Sequence, residues 1–406
     1  MQLKWKTVFW LAVAQALAMG LWLSASAVMP ALKIAWSLTD GQAAWLAMSV
    51  QIGFVAGAFL SALFNLPDIF PPKKIAAIGA FSGALAIAMI AVFVTSFQIA
   101  LVLLFLTGAA LAFVYPVGMK IVATWMQKDR GLGLGILVGA LTLGKASPHL
   151  FKTFGDINAW RSALLISAVL AAAAGLILLK FGELGPYRTK SPKFQWKYIA
   201  ETFRNRGVRL ANLGYYGHMW ELYAMWTWLP IFLLASFSKT IDGGGLLSPA
   251  KAAALAAFFT IAAGSVGSFA AGYLADRWGR TRTAILSLAI SGTCAVSIGL
   301  FFESSPWIVA LIAIIWGASV VSDSAQFSSS VSELCQKEYM GTALAMQTST
   351  GFLLTLFSIR LIPEMVEWIG WEWAFSSVAI GPIVGIWAMR ILKNSKEAEK
   401  LAGGRG

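Results

Sequence analysis

The sequence predicts an all-α integral membrane protein of twelve spanning helices, divided six and six. Three observations carry that prediction. Of the 406 residues, 58% are hydrophobic and only 12% charged, against about 45–50% apolar and about 25% charged in soluble domains. The apolar residues fall into runs of the length, about 20 residues, that crosses roughly 30 Å of hydrocarbon. One sizeable polar interval, 182–208, stands in the middle of the chain. A soluble enzyme, a disordered chain and a fibrous protein are thereby excluded, because no soluble core hides so much apolar surface.

The runs occupy positions 8–30, 43–65, 74–95, 98–125, 131–154, 161–181, 210–235, 250–274, 284–302, 306–330, 341–362 and 371–391. The first lacks a small-residue cleavage site and is followed by further spans, so it reads as a retained helix and not a signal peptide. The gaps between runs leave no room for a soluble domain. The expected organisation is an N-terminal bundle (1–181), a central loop (182–208), a C-terminal bundle (209–392) and a tail (393–406). The loop contains Pro186 and Pro192 and carries Arg188, Lys190, Lys193, Lys197, Arg204 and Arg206.

Charge then sets orientation. The net charge is +13, from 31 Lys and Arg against 18 Asp and Glu. A nucleic-acid partner needs a solvated basic face or a recognisable module, and neither is present. Placing the N-terminus in the cytoplasm leaves only Lys33, Lys152, Arg161, Lys239 and Lys251 in outer loops, and Lys120, Lys145 and Arg360 inside spans. All the other cations are then cytoplasmic, as the positive-inside rule requires. Both termini are expected in the cytoplasm, in an inner (plasma) membrane. Cys294 and Cys335 form no disulfide or metal-ligand pattern.

The turn after span eight reads Gly272-Tyr-Leu274-Ala-Asp276-Arg277-Trp-Gly279-Arg280-Thr-Arg282. Its glycine suits close helix contact, its acid suits a helix N-terminus, and its arginines suit the cytoplasm. It resembles the signature of the major facilitator superfamily, found between spans eight and nine and between two and three. The resemblance extends through span count, central loop and orientation over nearly the whole chain. It implies two pseudo-symmetric six-helix bundles around a cavity, with Asp276, Arg277 and Arg280 as gating residues. The first-half counterpart, Phe64-Asn-Leu-Pro67-Asp68-Ile-Phe-Pro71-Pro72-Lys73-Lys74, keeps the acid Asp68 but has prolines where the family has glycine and arginine. Arg130-Gly-Leu-Gly-Leu-Gly135 and Met340-Gly341-Thr-Ala-Leu-Ala echo one another, as the family's two halves do.

Three absences, bearing on two groups of the superfamily, narrow the resemblance. Drug/proton antiporters of the superfamily carry an arginine in span four, four residues before a glycine; here Leu104 precedes Gly108. They also carry Gly-Pro-x-x-Gly-Gly in span five, where this chain has Gly144-Lys-Ala-Ser-Pro148-His-Leu. Nitrate transporters of the superfamily carry paired arginines in spans two and eight, and neither span here has a central charge.

A charge at mid-bilayer costs several kcal/mol, so each one marks a functional candidate. Span seven holds Glu221 near its midpoint and His218 three residues earlier on the same face. Carboxylates and imidazoles are the side chains able to exchange a proton in apolar surroundings. The pair therefore reads as a coupling site or as a staple to a neighbouring helix. The same span carries Tyr215, Tyr216, Trp220, Tyr223, Trp226 and Trp228, either packing residues or stacking ligands, and Trp226 is taken as a substrate contact. Span ten supplies a polar stripe of Ser319, Ser322, Asp323 and Gln326, with Asp323 a second proton-coupling candidate and Gln326 a substrate contact. Span one offers Gln15, Trp22, Ser24 and Ser26 as cavity lining.

Lys145 and Arg360 each stand three residues before a proline, Pro148 and Pro363, and are read as a related pair that binds an anion or gates the outer face. Tyr115 in span four joins the substrate contacts, while Lys120 snorkels to the inner headgroups. No phosphate loop, metal cluster or nucleophile–base set is visible, so the expectation is a cofactor-free, metal-free, non-enzymatic protein that does not hydrolyse ATP. The resemblance implies a monomeric secondary transporter. The cations point to a small anionic substrate and the acids to proton symport. Proton-driven efflux of an amphipathic or cationic compound, and a non-transporting sensor or assembly factor, are the alternatives.

Overall fold

The structure, a computed structural model, describes residues 2–64, 66–126, 130–153, 160–187, 197–241, 247–336 and 339–406. Among them every element is helical. The first half contains α1 (Gln2–Ala35), α2 (Asp40–Leu63), a short α3 (Leu66–Ile69), α4 (Pro72–Phe93), α5 (Phe97–Leu111), α6 (Tyr115–Trp125), α7 (Arg130–Thr153) and α8 (Trp160–Phe181). The second contains α9 (Lys197–Arg204), α10 (Arg206–Thr240), α11 (Pro249–Trp278), α12 (Arg280–Ser297), α13 (Pro306–Ser322), α14 (Ser324–Leu334), α15 (Met340–Ile369), the short α16 (Trp371–Ala374) and α17 (Ile380–Lys393). Helices are the required answer in lipid, where each backbone N–H must find its acceptor within the segment. Nine of these elements, counting α5–α6, α13–α14 and α16–α17 as continuous, are long and apolar enough to cross a membrane. The three remaining predicted spans are α7, α10 and α15, which carry Lys145 and His149, His218 and Glu221, and Gln347 and Arg360.

Local chemistry explains the helix starts. Thr39 caps α2 in a capping box: its hydroxyl accepts from the Gln42 N–H at 3.2 Å, and its own N–H donates to Gln42 Oε1 at 3.0 Å. Pro72, Pro116 and Pro306 occupy the first positions of α4, α6 and α13, where a missing N–H costs nothing. The interval read as a central loop is helical from Lys197 onward, and Arg206 already opens the long α10.

Spans four and ten, read as single helices, are both broken. The first helix of each starts at Phe97 or Pro306, and the second restarts after the same step, at Tyr115 or Ser324. Val114 and Asp323 are the residues at the two restarts. The helix crossings repeat as well. A Cβ on Gly57 of α2 would lie 2.5 Å from the Ala109 carbonyl oxygen of α5, and one on Gly267 of α11 would lie 2.0 Å from that of Ala318 in α13. In both halves a glycine lets two backbones touch, the packing that membranes favour in place of a hydrophobic drive.

Two compact units result, one of residues 1–190 and 227–262, the other of residues 191–226 and 263–406. The division falls once in the central interval and again inside α10 and α11. Each unit exposes large apolar side chains, such as Phe93 (77%) in the first and Phe357 (67%) in the second, while burying polar ones such as Gln15, Lys145, Glu221 and Asp323. That inversion is expected of surfaces that face lipid.

Candidate functional site

The polar centre of the second unit is built on α10. Glu221 is fully buried, and each carboxylate oxygen has its own donor: Trp316 Nε1 of α13 reaches Oε1 at 2.7 Å, and Ser291 Oγ of α12 reaches Oε2 at 2.9 Å. One acid thus ties three helices together. Trp316 is itself buried and meets Phe375 edge-on, with centroids 5.1 Å apart. A buried acid left without donors would cost about 1–3 kcal/mol or more.

One turn earlier, His218 has a different partner. Its Nδ1 stands 2.7 Å from Asp323 Oδ1, and both side chains are about 1% exposed. The contact is an ion pair only when the imidazole is protonated. Asp323 occupies the break between α13 and α14. Tyr215 and Phe327 close around the imidazole, each with its ring centroid 5.9 Å from that of His218. The helical spacing put His218 and Glu221 on one face, but the structure gives them separate partners, because each reaches a different part of span ten. A further buried link runs from Gln347 Nε2 of α15 to Asn212 Oδ1 of α10 at 3.0 Å, with Ser328 Oγ 3.3 Å from Gln347 Oε1.

At the α11–α12 turn, Arg280 forks onto Glu333 of α14, with Nη2 at 2.9 Å and Nε at 3.3 Å from Oε1. Its Nη1 donates to Gln326 Oε1 at 3.2 Å. Gln326, expected to touch substrate, is therefore bound to this arginine. Asp276 is 75% exposed in its side chain and lies 3.6 Å from Arg280; no side chain caps α12, so the predicted capping acid is a partner of Arg280 instead. Arg277 stacks on Tyr273, 4.1 Å from the ring centroid. A Cβ on Gly272 would meet nothing within 4 Å, so the close contact expected of it belongs to Gly267. Gly279 has φ +95° and bounds the turn.

Among the other predicted residues, Trp226 is buried against the edge of Tyr223, centroids 5.4 Å apart. Arg360 is 43% exposed in its side chain and pairs with Glu364, one turn on in α15, at 2.6 Å. In the first unit, Lys145 is 2% exposed, and its ammonium lies over the Trp22 ring, 3.9 Å from the centroid. Lys145 and Arg360 thus sit in unlike surroundings, one buried on an indole and one half-exposed on an acid. His149 is fully buried, with neither ring nitrogen hydrogen-bonded among the described residues. Tyr115 is half-buried at the restart of span four. Lys120 donates to the Pro67 carbonyl at 3.2 Å, which holds it near the end of its span. The side chain of Asp68 lies outside the described residues.

Sequence reasoning missed Trp316, Ser291, Glu333 and Glu364. Trp316 and Ser291 look like ordinary packing residues in apolar runs, and only the fold turns their polar atoms toward Glu221. Glu364 was findable: it follows Arg360 by four residues, the spacing of a helical ion pair.

Relatives agree with this architecture. Aligned over 225 residues, the chain is 28% identical to a protein of Bacillus subtilis (strain 168) provisionally assigned as the niacin/nicotinamide transporter NiaP, over 52% of this chain and 54% of that one. It is 27% identical to the gallate transporter of Pseudomonas putida, over 47% of this chain and 42% of the relative. The chain spans about half the length of the curated relatives it matches. The crystal structure of the nucleoside transporter NupG superposes with a TM-score of 0.69 at 17% identity, covering 98% of this chain and all of that one, which establishes the fold. The sequence model of the major facilitator superfamily matches residues 11–359 and again 213–406, and the chain belongs to that family.

Proposed function

We propose that this protein is a secondary active transporter that carries a small organic or inorganic anion together with a proton. The observation that supports it most is the buried His218–Asp323 pair at the break of span ten, one turn from the donor-bound Glu221. With imidazolium facing carboxylate the pair is neutral. A proton delivered to Asp323 removes the attraction that holds α10 to the break, and its release restores that attraction. Proton occupancy is then converted into a change in how α10 meets span ten, a change within the C-terminal bundle that biases its rocking against the N-terminal one. Glu221, with two donors fixed on it, is the second acid of the coupling path.

The substrate's charge is argued from Lys145, a cation buried beside an aromatic face, and from the relatives named for niacin/nicotinamide and for gallate, since niacin and gallate are carboxylate-bearing while nicotinamide is neutral. Tyr115 and Trp226 are substrate contacts in this reading, with Arg360 at the outer end. Arg280, with Asp276, Arg277 and Asp68, belongs to the cytoplasmic gate, and Gln326 and Glu333 act through Arg280. The two six-helix bundles, 1–181 and 209–392, move as the working parts of a monomer in the inner membrane, termini inside. The asymmetric placement of lysine and arginine supports that orientation.

Uptake by proteoliposomes under an imposed pH gradient tests the reading. Accumulation of a carboxylate driven by inward protons, lost in Glu221→Gln and Asp323→Asn, is the expected result. Exchange of a cation against protons would replace it with export. No flux of carboxylates, cations or sugars would reject transport.

A further inference from the structure

We propose that a cavity in the second unit, where α12 begins and α17 ends, binds a phosphate-bearing group and that its occupancy fixes residues 396–406 against the α11–α12 turn. The cavity holds about 350 Å³ and is walled by Arg282, Lys393, Asn394, Ser395, Glu399 and Arg405, together with small residues of the tail. Three cationic side chains face the carboxylates of Glu399 and Gly406 there, an excess of positive charge at close quarters. Neither Arg282 nor Lys393 has an ion-pair or hydrogen-bond partner among the described residues. Like charges gathered without a counterion repel one another, and an anion between them removes that cost.

Arg282, Lys393, Asn394, Glu399 and Arg405 are exposed, and the segment that carries the last two is anchored beneath them. Leu401 is fully buried and Ala398 7% exposed, which anchors the Lys396–Gly403 turn. The Ala402 N–H donates to Glu333 Oε2 at 2.9 Å, Arg405 donates to the Asp276 carbonyl, and the Thr281 N–H donates to a Gly406 carboxylate oxygen at 3.2 Å. Gly279 permits that approach, since a Cβ there would lie 2.2 Å from the Gly406 oxygen. The same Glu333 holds Arg280 through its other oxygen. Whatever steadies the tail therefore also steadies the arginine of the turn.

Donor chemistry selects the ligand. The Arg282 fork, the remaining N–H groups of Arg405, an ammonium and an amide suit the several oxygens of a phosphate better than the two of a carboxylate, while the Ser395 hydroxyl donates to the Leu392 carbonyl. The segments that contain α12 and α17, Arg280–Phe301 and Trp371–Lys393, are both long and apolar enough to span, so their ends lie at headgroup depth, where a phospholipid presents such a group. A free phosphate ester offers the same chemistry, and the experiment separates the two sources. The inference stands apart from the transport reading, because it rests on the tail and not on the buried acids.

The full chain is placed in nanodiscs of phosphatidylcholine, alone or mixed with phosphatidylglycerol, and hydrogen exchange of residues 396–406 is followed at constant ionic strength. Exchange should slow about thirtyfold or more with phosphatidylglycerol, the scale expected when two or three cations engage anionic headgroups. Arg282→Ala with Lys393→Ala should abolish the slowing, while Lys251→Ala, far along the chain, should retain it. Equal protection from inorganic phosphate in phosphatidylcholine discs would assign the site to a free phosphate compound. Exchange indifferent to both, or slowing that persists in the double variant, would overturn the proposal.

Discussion

Asp323→Asn is the most informative single change, because it keeps the shape of the side chain and removes its charge. With the imidazole protonated, two unit charges 2.7 Å apart attract by about 6 kcal/mol at an effective dielectric of about 20. Desolvation of two groups that are about 1% exposed offsets much of this. Stranding the imidazolium by removing its partner is nevertheless expensive, about 3–5 kcal/mol for buried pairs. His218→Gln alone strands the carboxylate and should cost a similar amount. The double variant buries no charge at this position and should recover most of the loss. The coupling energy, from unfolding of the four proteins in mixed micelles, should therefore reach about 2 kcal/mol or more. Effects that add within about 0.5 kcal/mol would show that the two side chains do not interact energetically, and the coupling role argued for the pair would fall with them.

The helix crossings give a structural test: Gly267→Val should destabilise by about 1–3 kcal/mol through overpacking, whereas Gly272→Ala, which meets nothing within 4 Å, should leave the unfolding midpoint unchanged. Trp316→Phe removes one of the two donors on Glu221 and should cost about 1–3 kcal/mol, with driven uptake falling while the protein remains folded. Arg360→Gln breaks a half-exposed pair and should change stability by less than about 1 kcal/mol; a larger loss would mean that it is buried in the working protein. Lys145→Met, by contrast, should retain or raise stability, since it replaces a buried cation by a side chain of similar length, yet weaken anion binding in a titration.

Class, span positions and the chemically expensive residues were legible because lipid imposes a simple rule: long apolar runs, with each polar exception conspicuous. His218, Glu221, Asp323 and Lys145 stand out for that reason, and all are buried. Pairing was not legible. Helical spacing is local information, and it joined His218 to Glu221, while their partners come from α12, α13 and the break before α14. The break itself has no strong signal at Asp323, where neither glycine nor proline stands. Span four carries Pro116, but only two residues after Val114, at the restart. The fork from Arg280 to Glu333 was hidden for a different reason, since Glu333 lies at the polar end of a span, where an acid needs no explanation.

The repeated scaffold and the unrepeated chemistry point to a division of labour. Breaks at the same step in spans four and ten, and glycine contacts to Ala109 and Ala318 at matching positions, are architectural and occur in both halves. At the restart itself the halves diverge: Val114 stands in one and Asp323 in the other. Backbone geometry that tolerates either a branched apolar residue or a paired acid does not by itself demand the acid. Its presence, with His218 supplied from α10, is then an addition to the scaffold and not part of what the scaffold requires. The buried cation is distributed the opposite way, with Lys145 in the first unit and the half-exposed, acid-paired Arg360 in the second. If this separation is functional, Asp323→Val, which makes the second break resemble the first, should leave the fold intact only when His218 is also made apolar. Folding of the double variant without proton-driven uptake is the expected outcome. Full driven uptake by that protein would show that the acid at the break has no part in coupling.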